Sequence, residues 1–202
     1  MSELFSIQLQ NRQQQGRDGV WLDLPTTTEQ VQAALRQIGI SSDNPQGLFI
    51  SGYFAEEEKR FAIPYNMVLA SNVDELNFLA ARLETLSAGE RAELNAALQV
   101  PQSELSSIGR ITDFPENVDY YVHLPDVRGP AQLGDYYLNR SGMVDMPEEW
   151  KGGIDTAQFG RYVAQQEQGA FTQYGYLVKS GDEWQKVHEG QPVPEEYRVL
   201  SF

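Results

Sequence analysis

Residues 5–39 read FSIQLQNRQQQGRDGVWLDLPTTTEQVQAALRQIG, and this stretch decides the fold class. Phe5, Ile7 and Leu9 alternate with polar residues, which predicts a strand with one buried face. A polar loop follows, and VWLDL at residues 20–24 predicts a second strand. Two strands joined by a polar loop indicate an antiparallel pair.

A helix is predicted directly after the second strand. Thr26 and Glu29 form a capping-box pattern, which is typical of a helix N-terminus. Apolar residues then recur at helical spacing, and Gly39 stands where a helix C-cap belongs. Residues 47–54 predict a third strand, so the first segment indicates a small α+β domain.

The middle of the chain is predicted to be helical. Asn72 with Glu75, and Ser87 with Glu90, repeat the capping pattern. Leucine and alanine follow each pair at helical spacing, which predicts two short helices over residues 72–98. Two helices bury little surface alone, so we expect each to pack on a neighbour.

The last segment returns to short strands and helices. Its predicted elements are a strand over 118–124, a helix over 132–142, a helix capped by Asp155, a hairpin of residues 170–178 with 183–187, and a strand over 198–202. The fold class is therefore α+β with mostly antiparallel sheets, and the predicted domains are 1–70 (α+β), 71–110 (helical) and 111–202 (α+β).

Net charge is the most informative property of the composition. The chain has 29 acidic and 15 basic residues, a net charge of −14, so it repels nucleic acid and favours basic partners. Solubility is the alternative explanation of the acidity. The densest acidic segment, residues 111–155, holds Asp113, Glu116, Asp119, Asp126, Asp135, Asp145, Glu148, Glu149 and Asp155.

Motifs of catalysis and cofactor binding are missing from the sequence. There is no cysteine, and the two histidines, His123 and His188, are too few for an imidazole zinc site. No phosphate-binding glycine loop and no GxSxG nucleophile elbow occurs. We therefore predict no enzyme and no cofactor. No apolar stretch is long enough to span a membrane, and no secretory signal is visible, so we expect a cytoplasmic protein.

Four blocks in series resemble the ArdA antirestriction family. They are GVWLDLP (19–25), the helical stretch 72–98, LGDYYLNRSG (133–142) and residues 153–178. The resemblance implies an elongated dimer of three-domain chains that mimics bent B-form DNA and is carried by mobile elements. It implies that the partner is a type I restriction–modification enzyme, bound at the DNA groove of its methyltransferase core.

Mimicry of DNA requires that the negative charge follow one path. Two copies of the chain carry 28 net negative charges, which equals roughly 48 Å of duplex at the charge density of DNA. A dimer is longer than this, so its charge must be focused. Besides residues 111–155, the acidic middle helices supply candidate mimic carboxylates: Asp74, Glu75, Glu84, Glu90 and Glu93.

The third segment also carries more apolar surface than a small domain needs. This surface predicts a homodimer interface, because tyrosine and methionine are enriched at interfaces. Plain core packing is the alternative for each residue. The candidate interface residues are Leu133, Tyr136, Tyr137, Leu138, Met143, Val144 and Met146.

Two other functions remain open from the sequence. The chain could be an acidic module that binds another basic DNA-binding protein, or an enzyme that uses paired carboxylates. Stoichiometry separates these hypotheses, because a mimic acts one dimer per groove and an enzyme acts in trace amounts.

Overall fold

The computed structural model describes residues 3–14, 18–41, 45–56, 61–101 and 103–200. The fold is α+β, and both sheets are antiparallel, as predicted. Contacts group the chain into two compact units. The first unit comprises Met1–Ser87, Glu104–Glu116 and Gln185–Phe202, and the second comprises Ala88–Ser103 and Asn117–Trp184. The division into three domains stays a prediction.

The sheet of the first unit has three strands. Strands β1 (Phe5–Asn11), β2 (Val20–Leu24) and β3 (Leu48–Phe54) lie in the order β2-β1-β3. The central strand buries Ile7 and Leu9 completely, which confirms the alternation seen in the sequence. All three predicted strands of this segment are therefore present.

Helix α1 (Thr28–Gln37) begins one residue later than predicted. Its N-cap is Thr27, which forms the capping box with Gln30, so the predicted pairing of Thr26 with Glu29 is wrong. Thr26 is buried instead, and its backbone N–H donates to Asn77 Oδ1 at 2.7 Å. Gly39 has φ +68, which confirms that the helix ends there.

The predicted helices of the middle segment form and fall into different units. The predicted helices are α3 (Val73–Glu84), in the first unit, and α4 (Ala88–Gln99), in the second; helix α2 (Tyr65–Ala70) of the first unit was not predicted. The capping box of Asn72 with Glu75 is confirmed at the start of α3. A short helix, α5 (Ile108–Thr112), packs against α3.

The second unit joins a sheet to a tightly packed helix pair. Strands β4 (Tyr121–Leu124), β5 (Ala170–Thr172) and β6 (Gly175–Lys179) lie in the order β4-β6-β5. The helices are α6 (Pro130–Asp135), which continues as a π-helix over Tyr136–Arg140, then α7 (Glu148–Lys151) and α8 (Thr156–Glu167).

Two glycines allow α6 and α8 to pack closely. A Cβ atom on Gly134 would lie 1.9 Å from the carbonyl oxygen of Thr156. A Cβ atom on Gly160 would lie 1.8 Å from the carbonyl oxygen of Pro130. Both distances are far below van der Waals contact, so only glycine fits at this crossing.

Two predicted strands of the C-terminal region are absent from the described residues. Strands β5 and β6 form a hairpin with each other, so the predicted pairing of residues 170–178 with 183–187 is wrong. Residues 198–200 are not a strand either, and 201–202 lie outside the described residues. The strand expected over 118–124 begins only at Tyr121, because residues 118–120 form a 3₁₀ turn.

Candidate functional site in the acidic surface

The fourteen carboxylates predicted to imitate phosphates differ widely in exposure. Seven are exposed: Glu116, Asp119, Asp126, Asp145, Glu148, Glu149 and Asp155. Six are half-buried: Asp74, Glu75, Glu84, Glu90, Glu93 and Asp135. Asp113 is fully buried. Position along the sequence therefore does not decide which of these groups can meet a partner.

Asp113 holds two backbone amides inside the first unit. Its Oδ1 accepts from the N–H of His188 at 2.6 Å, and its Oδ2 accepts from the N–H of Glu189 at 3.3 Å. The residue has no solvent exposure. A carboxylate in this position cannot present charge to a partner, so Asp113 does not belong to the exposed acidic surface.

Asp74 and Glu75 lie at the start of α3, and each accepts hydrogen bonds from backbone N–H groups. Asp74 Oδ1 accepts from the N–H groups of Val199 at 2.8 Å and Leu200 at 2.9 Å. Glu75 closes the capping box by accepting from the N–H of Asn72 at 3.2 Å. These acids stabilise the fold and retain only part of their surface in solvent.

Three predicted carboxylates form ion pairs. Glu116 pairs with Arg82. Asp135 pairs with Arg140 at 3.1 Å, and Glu148 pairs with Lys151 at 2.6 Å. A neighbouring cation offsets the field of each carboxylate, so these acids contribute less to a negative surface.

Asp155 serves as the N-cap of α8. Its Oδ1 accepts from the N–H groups of Ala157 and Gln158, both at 2.9 Å. The cap was predicted from the sequence and is confirmed. The positive end of the helix compensates part of the negative charge of an N-cap carboxylate.

Glu93 lies half-buried on α4 and behaves differently from the other acids. Burial, together with repulsion from Glu90 and Asp119, raises the pKa of Glu93 to about 8. Its Oε1 atom is buried without a hydrogen-bond partner among the described residues. Glu93 is therefore mostly protonated at neutral pH and adds little negative charge.

Four carboxylates remain exposed and free of cations. Within the described ranges, none of them accepts a hydrogen bond or pairs with a basic side chain. They are Asp119, Asp126, Asp145 and Glu149, and we call them the open carboxylates. All four belong to the second unit.

The open carboxylates lie on irregular chain or short helices. Asp119 is in the 3₁₀ turn before β4, and Asp126 follows that strand. Asp145 precedes α7, and Glu149 is in the first turn of α7.

The model of the antirestriction protein (ArdA) family matches residues 15–178 of this chain, and that range contains all four open carboxylates.

The chain belongs to the ArdA family of antirestriction proteins. A search of curated proteins gave no match. The residues that the structure describes contain no group of three histidine, aspartate or glutamate side chains placed to hold a metal ion. They also contain no helix with the length and apolar character needed to cross a membrane.

This ArdA-family chain uses residues beyond the matched range to complete its first unit. Strand β1, the central strand of its sheet, lies entirely before residue 15, where the family match begins. The C-terminal segment of the first unit, Gln185–Phe202, lies beyond residue 178. Its Tyr197 packs against Phe78, with ring centroids 4.8 Å apart. Val199 of that segment is buried.

An ion pair adds to the attachment of the C-terminal segment. Glu189 accepts from Arg110 Nε at 2.8 Å. The Arg110 guanidinium holds the pKa of Glu189 below its usual range. Sequence reasoning missed Arg110 and Glu189, because the two residues are 79 positions apart.

The predicted interface residues divide into core and surface. Leu133 and Leu138 are buried, and Tyr136 and Tyr137 pack against the core of the second unit. Met143 is 75% exposed.

The other predicted interface residues are partly exposed or bonded internally. Val144 and Met146 are half-buried. The Tyr137 hydroxyl donates to Glu167, and burial with this bond raises the pKa of Tyr137. Core packing, the alternative weighed from the sequence, explains the leucines and tyrosines.

Proposed function

We propose that this chain inhibits type I restriction–modification enzymes by imitating B-form DNA in the groove of their methyltransferase core. The observation that carries the proposal is the family match over residues 15–178, on a chain of net charge −14. The open carboxylates Asp119, Asp126, Asp145 and Glu149 supply exposed negative charge without compensating cations.

Binding of this kind depends mainly on electrostatics. A groove that binds DNA is lined by lysine and arginine, and carboxylates can displace its counterions as phosphates do. The affinity therefore falls steeply as salt rises. Charges carry no base sequence, so enzymes of different recognition sequence are inhibited alike.

The proposal includes a homodimer and a cytoplasmic location. Met143 is the most exposed of the predicted interface residues, and Trp150 and Tyr162 of the same unit are 67% and 59% exposed. Exposed aromatic and methionine side chains favour a protein interface in this unit. The cytoplasm is where an inhibitor meets restriction enzymes.

The direct experiment is the plating of unmodified phage on hosts that restrict by type I enzymes. We expect more plaques when the chain is expressed, and equal plating of modified phage with and without it. A variant with all four open carboxylates changed to Asn or Gln is plated alongside, and we expect it to relieve restriction less than the wild type does. Unchanged plating on hosts of every type I family would overturn the proposal.

A further inference from the structure

The outer face of the first sheet exposes aromatic and acidic side chains. Along β2, Leu22 and Leu24 are buried, whereas Trp21 and Asp23 are exposed. Asp23 lies opposite Ser6 of β1, and Ser6 lies opposite Phe54 of β3. Cross-strand partners share one face, so the row Asp23–Ser6–Phe54 crosses the sheet on its outer side.

Two aromatic side chains form an exposed pair on this face. Trp21 is 49% exposed and Phe54 is 58% exposed. Their ring centroids are 6.5 Å apart, with an interplanar angle of 75°. Gly52 leaves room for the indole, since a Cβ there would lie 3.0 Å from the Trp21 ring. Exposed apolar patches often mark binding sites, and tryptophan is enriched among the residues that carry binding energy.

A cleft of about 220 Å³ opens beside Phe54. Three carboxylate side chains, Glu3, Asp23 and Glu56, line it, and no lysine or arginine of the described residues does. Ser6 Oγ donates to Asp23 Oδ1 at 2.6 Å. That bond orients the carboxylate. The second oxygen, Asp23 Oδ2, accepts no hydrogen bond from the described residues.

The geometry points to a receptor for one arginine side chain of a partner protein, formed by Phe54, Trp21 and the carboxylates of the cleft. A guanidinium group is planar, stacks on aromatic faces and donates a fork of N–H groups to carboxylates. The cleft is smaller than the 300–1,000 Å³ of typical small-molecule sites, so it fits one side chain.

The same sheet already contains a contact of this type. The Arg12 guanidinium carbon lies 5.3 Å from the centroid of the Phe49 ring on β3. An incoming arginine at the Trp21–Phe54 pair would repeat this contact and add carboxylate acceptors. Phosphate and carboxylate ligands are disfavoured there, because they would meet Glu3, Asp23 and Glu56.

This receptor differs from the open carboxylates in its chemistry and its unit. The open carboxylates supply charge, whereas the receptor selects a guanidinium over other cations. The inference rests on the proposed function only for the identity of the protein that carries the arginine. The receptor is tested with peptides and the proposed function with phage plating, so either one can fail without the other.

The experiment is NMR titration of the full chain with the peptide acetyl-Gly-Arg-Gly-amide, and separately with its Lys counterpart. The indole N–H signals of Trp21 and Trp150 are followed together, since both side chains are exposed and Trp21 packs against Phe54, which lines the cleft. We expect a saturable shift at Trp21 with the Arg peptide and none at Trp150. Phe54→Ala and Asp23→Asn should each weaken the binding by about threefold or more.

Three outcomes would overturn the receptor. They are no saturable shift at Trp21, an equal shift at Trp150, or an equal response to the Lys peptide. Equal shifts at both tryptophans would indicate general attraction to an acidic protein. Because Phe54→Ala removes packing with Trp21, Asp23→Asn provides a second variant of nearly unchanged shape. Unaltered binding in both variants would also overturn the assignment.

Discussion

Asp113 Oδ1 accepts a hydrogen bond from the backbone N–H of His188, with the two atoms 2.6 Å apart. The contact joins residues 75 positions apart and ties Gln185–Phe202 to the rest of the first unit. A residue in the densest acidic stretch of the sequence therefore stabilises the fold instead of facing a partner.

Replacement of Asp113 by Asn is expected to destabilise the protein by about 2–3 kcal/mol, because two part-buried backbone N–H groups lose their charged acceptor. Thermal unfolding measures the effect. Asp145→Asn is the control, since Asp145 is exposed. It removes the same charge and should change stability by about 0.5 kcal/mol or less. Equal melting temperatures for the two variants would contradict the structural role of Asp113.

Glu93 makes stability depend on pH in an unusual direction for an acid. Its pKa is raised to about 8 in the folded state from an ordinary value of 4.5. The folded state then binds the proton more tightly than the unfolded state. The contribution of Glu93 to stability is therefore fully present below about pH 4.5, is lost as pH rises to about 8, and changes no further once Glu93 is ionised in both states.

Glu93→Gln should remove this loss of stability. We expect the variant to exceed the wild type by about 1–2 kcal/mol at pH 9, after allowing for screening of a partly exposed group, and to match it at pH 5. Chemical denaturation at the two pH values provides the measurement. A difference that is the same at both pH values would show that Glu93 is not protonated in the folded state.

The crossing of α6 and α8 should tolerate no side chain at Gly134. A Cβ there would lie 1.9 Å from the Thr156 carbonyl oxygen, so Gly134→Ala is expected to cost about 3 kcal/mol or more. Gly152 has helical φ and no atom within 4 Å of its Cβ position, so Gly152→Ala should be neutral or slightly stabilising. Urea unfolding compares the two. Similar stabilities would disprove close packing of these helices.

Dimer formation is predicted to depend on Met143. The side chain is 75% exposed and contributes little to its own core, so Met143→Lys should leave the fold intact. We expect light scattering at micromolar concentration to give a dimer mass for the wild type and a monomer mass for the variant. A monomeric wild type would end the dimer hypothesis, and a dimeric variant would place the interface elsewhere.

Local patterns in the sequence were sufficient to predict most of the elements. Alternation located the strands of the first sheet, and Asn72 with Glu75 marked the start of α3. The N-cap of α1 was wrong by one residue, because three consecutive threonines can each cap and burial of Thr26 decides between them. Patterns of this kind operate over a few residues and need no knowledge of tertiary contacts.

From the sequence, the candidate site could be predicted only as a segment rich in acidic residues. Whether an acid is open, paired or buried depends on partners distant in sequence, as for Asp113 and Glu116. Leu133, Tyr136 and Tyr137 resemble an interface in the sequence, whereas in the structure they pack in the core of the second unit. The alternation of VWLDL does place Trp21 and Asp23 on the exposed face, and this was the signal for the aromatic face.

We propose that exposed charge on the second unit imitates the phosphates of DNA. The most direct measurement is competition between the protein and DNA for a purified type I methyltransferase, over a graded neutralisation of Asp119, Asp126, Asp145 and Glu149. One substitution should weaken inhibition by about threefold or less, since an exposed ion pair contributes about 0–1 kcal/mol. All four together should weaken it by about tenfold or more and flatten its salt dependence.

The matched control neutralises four exposed acids outside this set: Asp18, Glu183, Glu195 and Glu196. It removes the same net charge, and we predict that it retains most of the inhibition. A smooth decline with each open carboxylate removed, and a small loss in the control, is the predicted result. Loss of all inhibition at a single residue, or an equal loss in the control, would contradict the account.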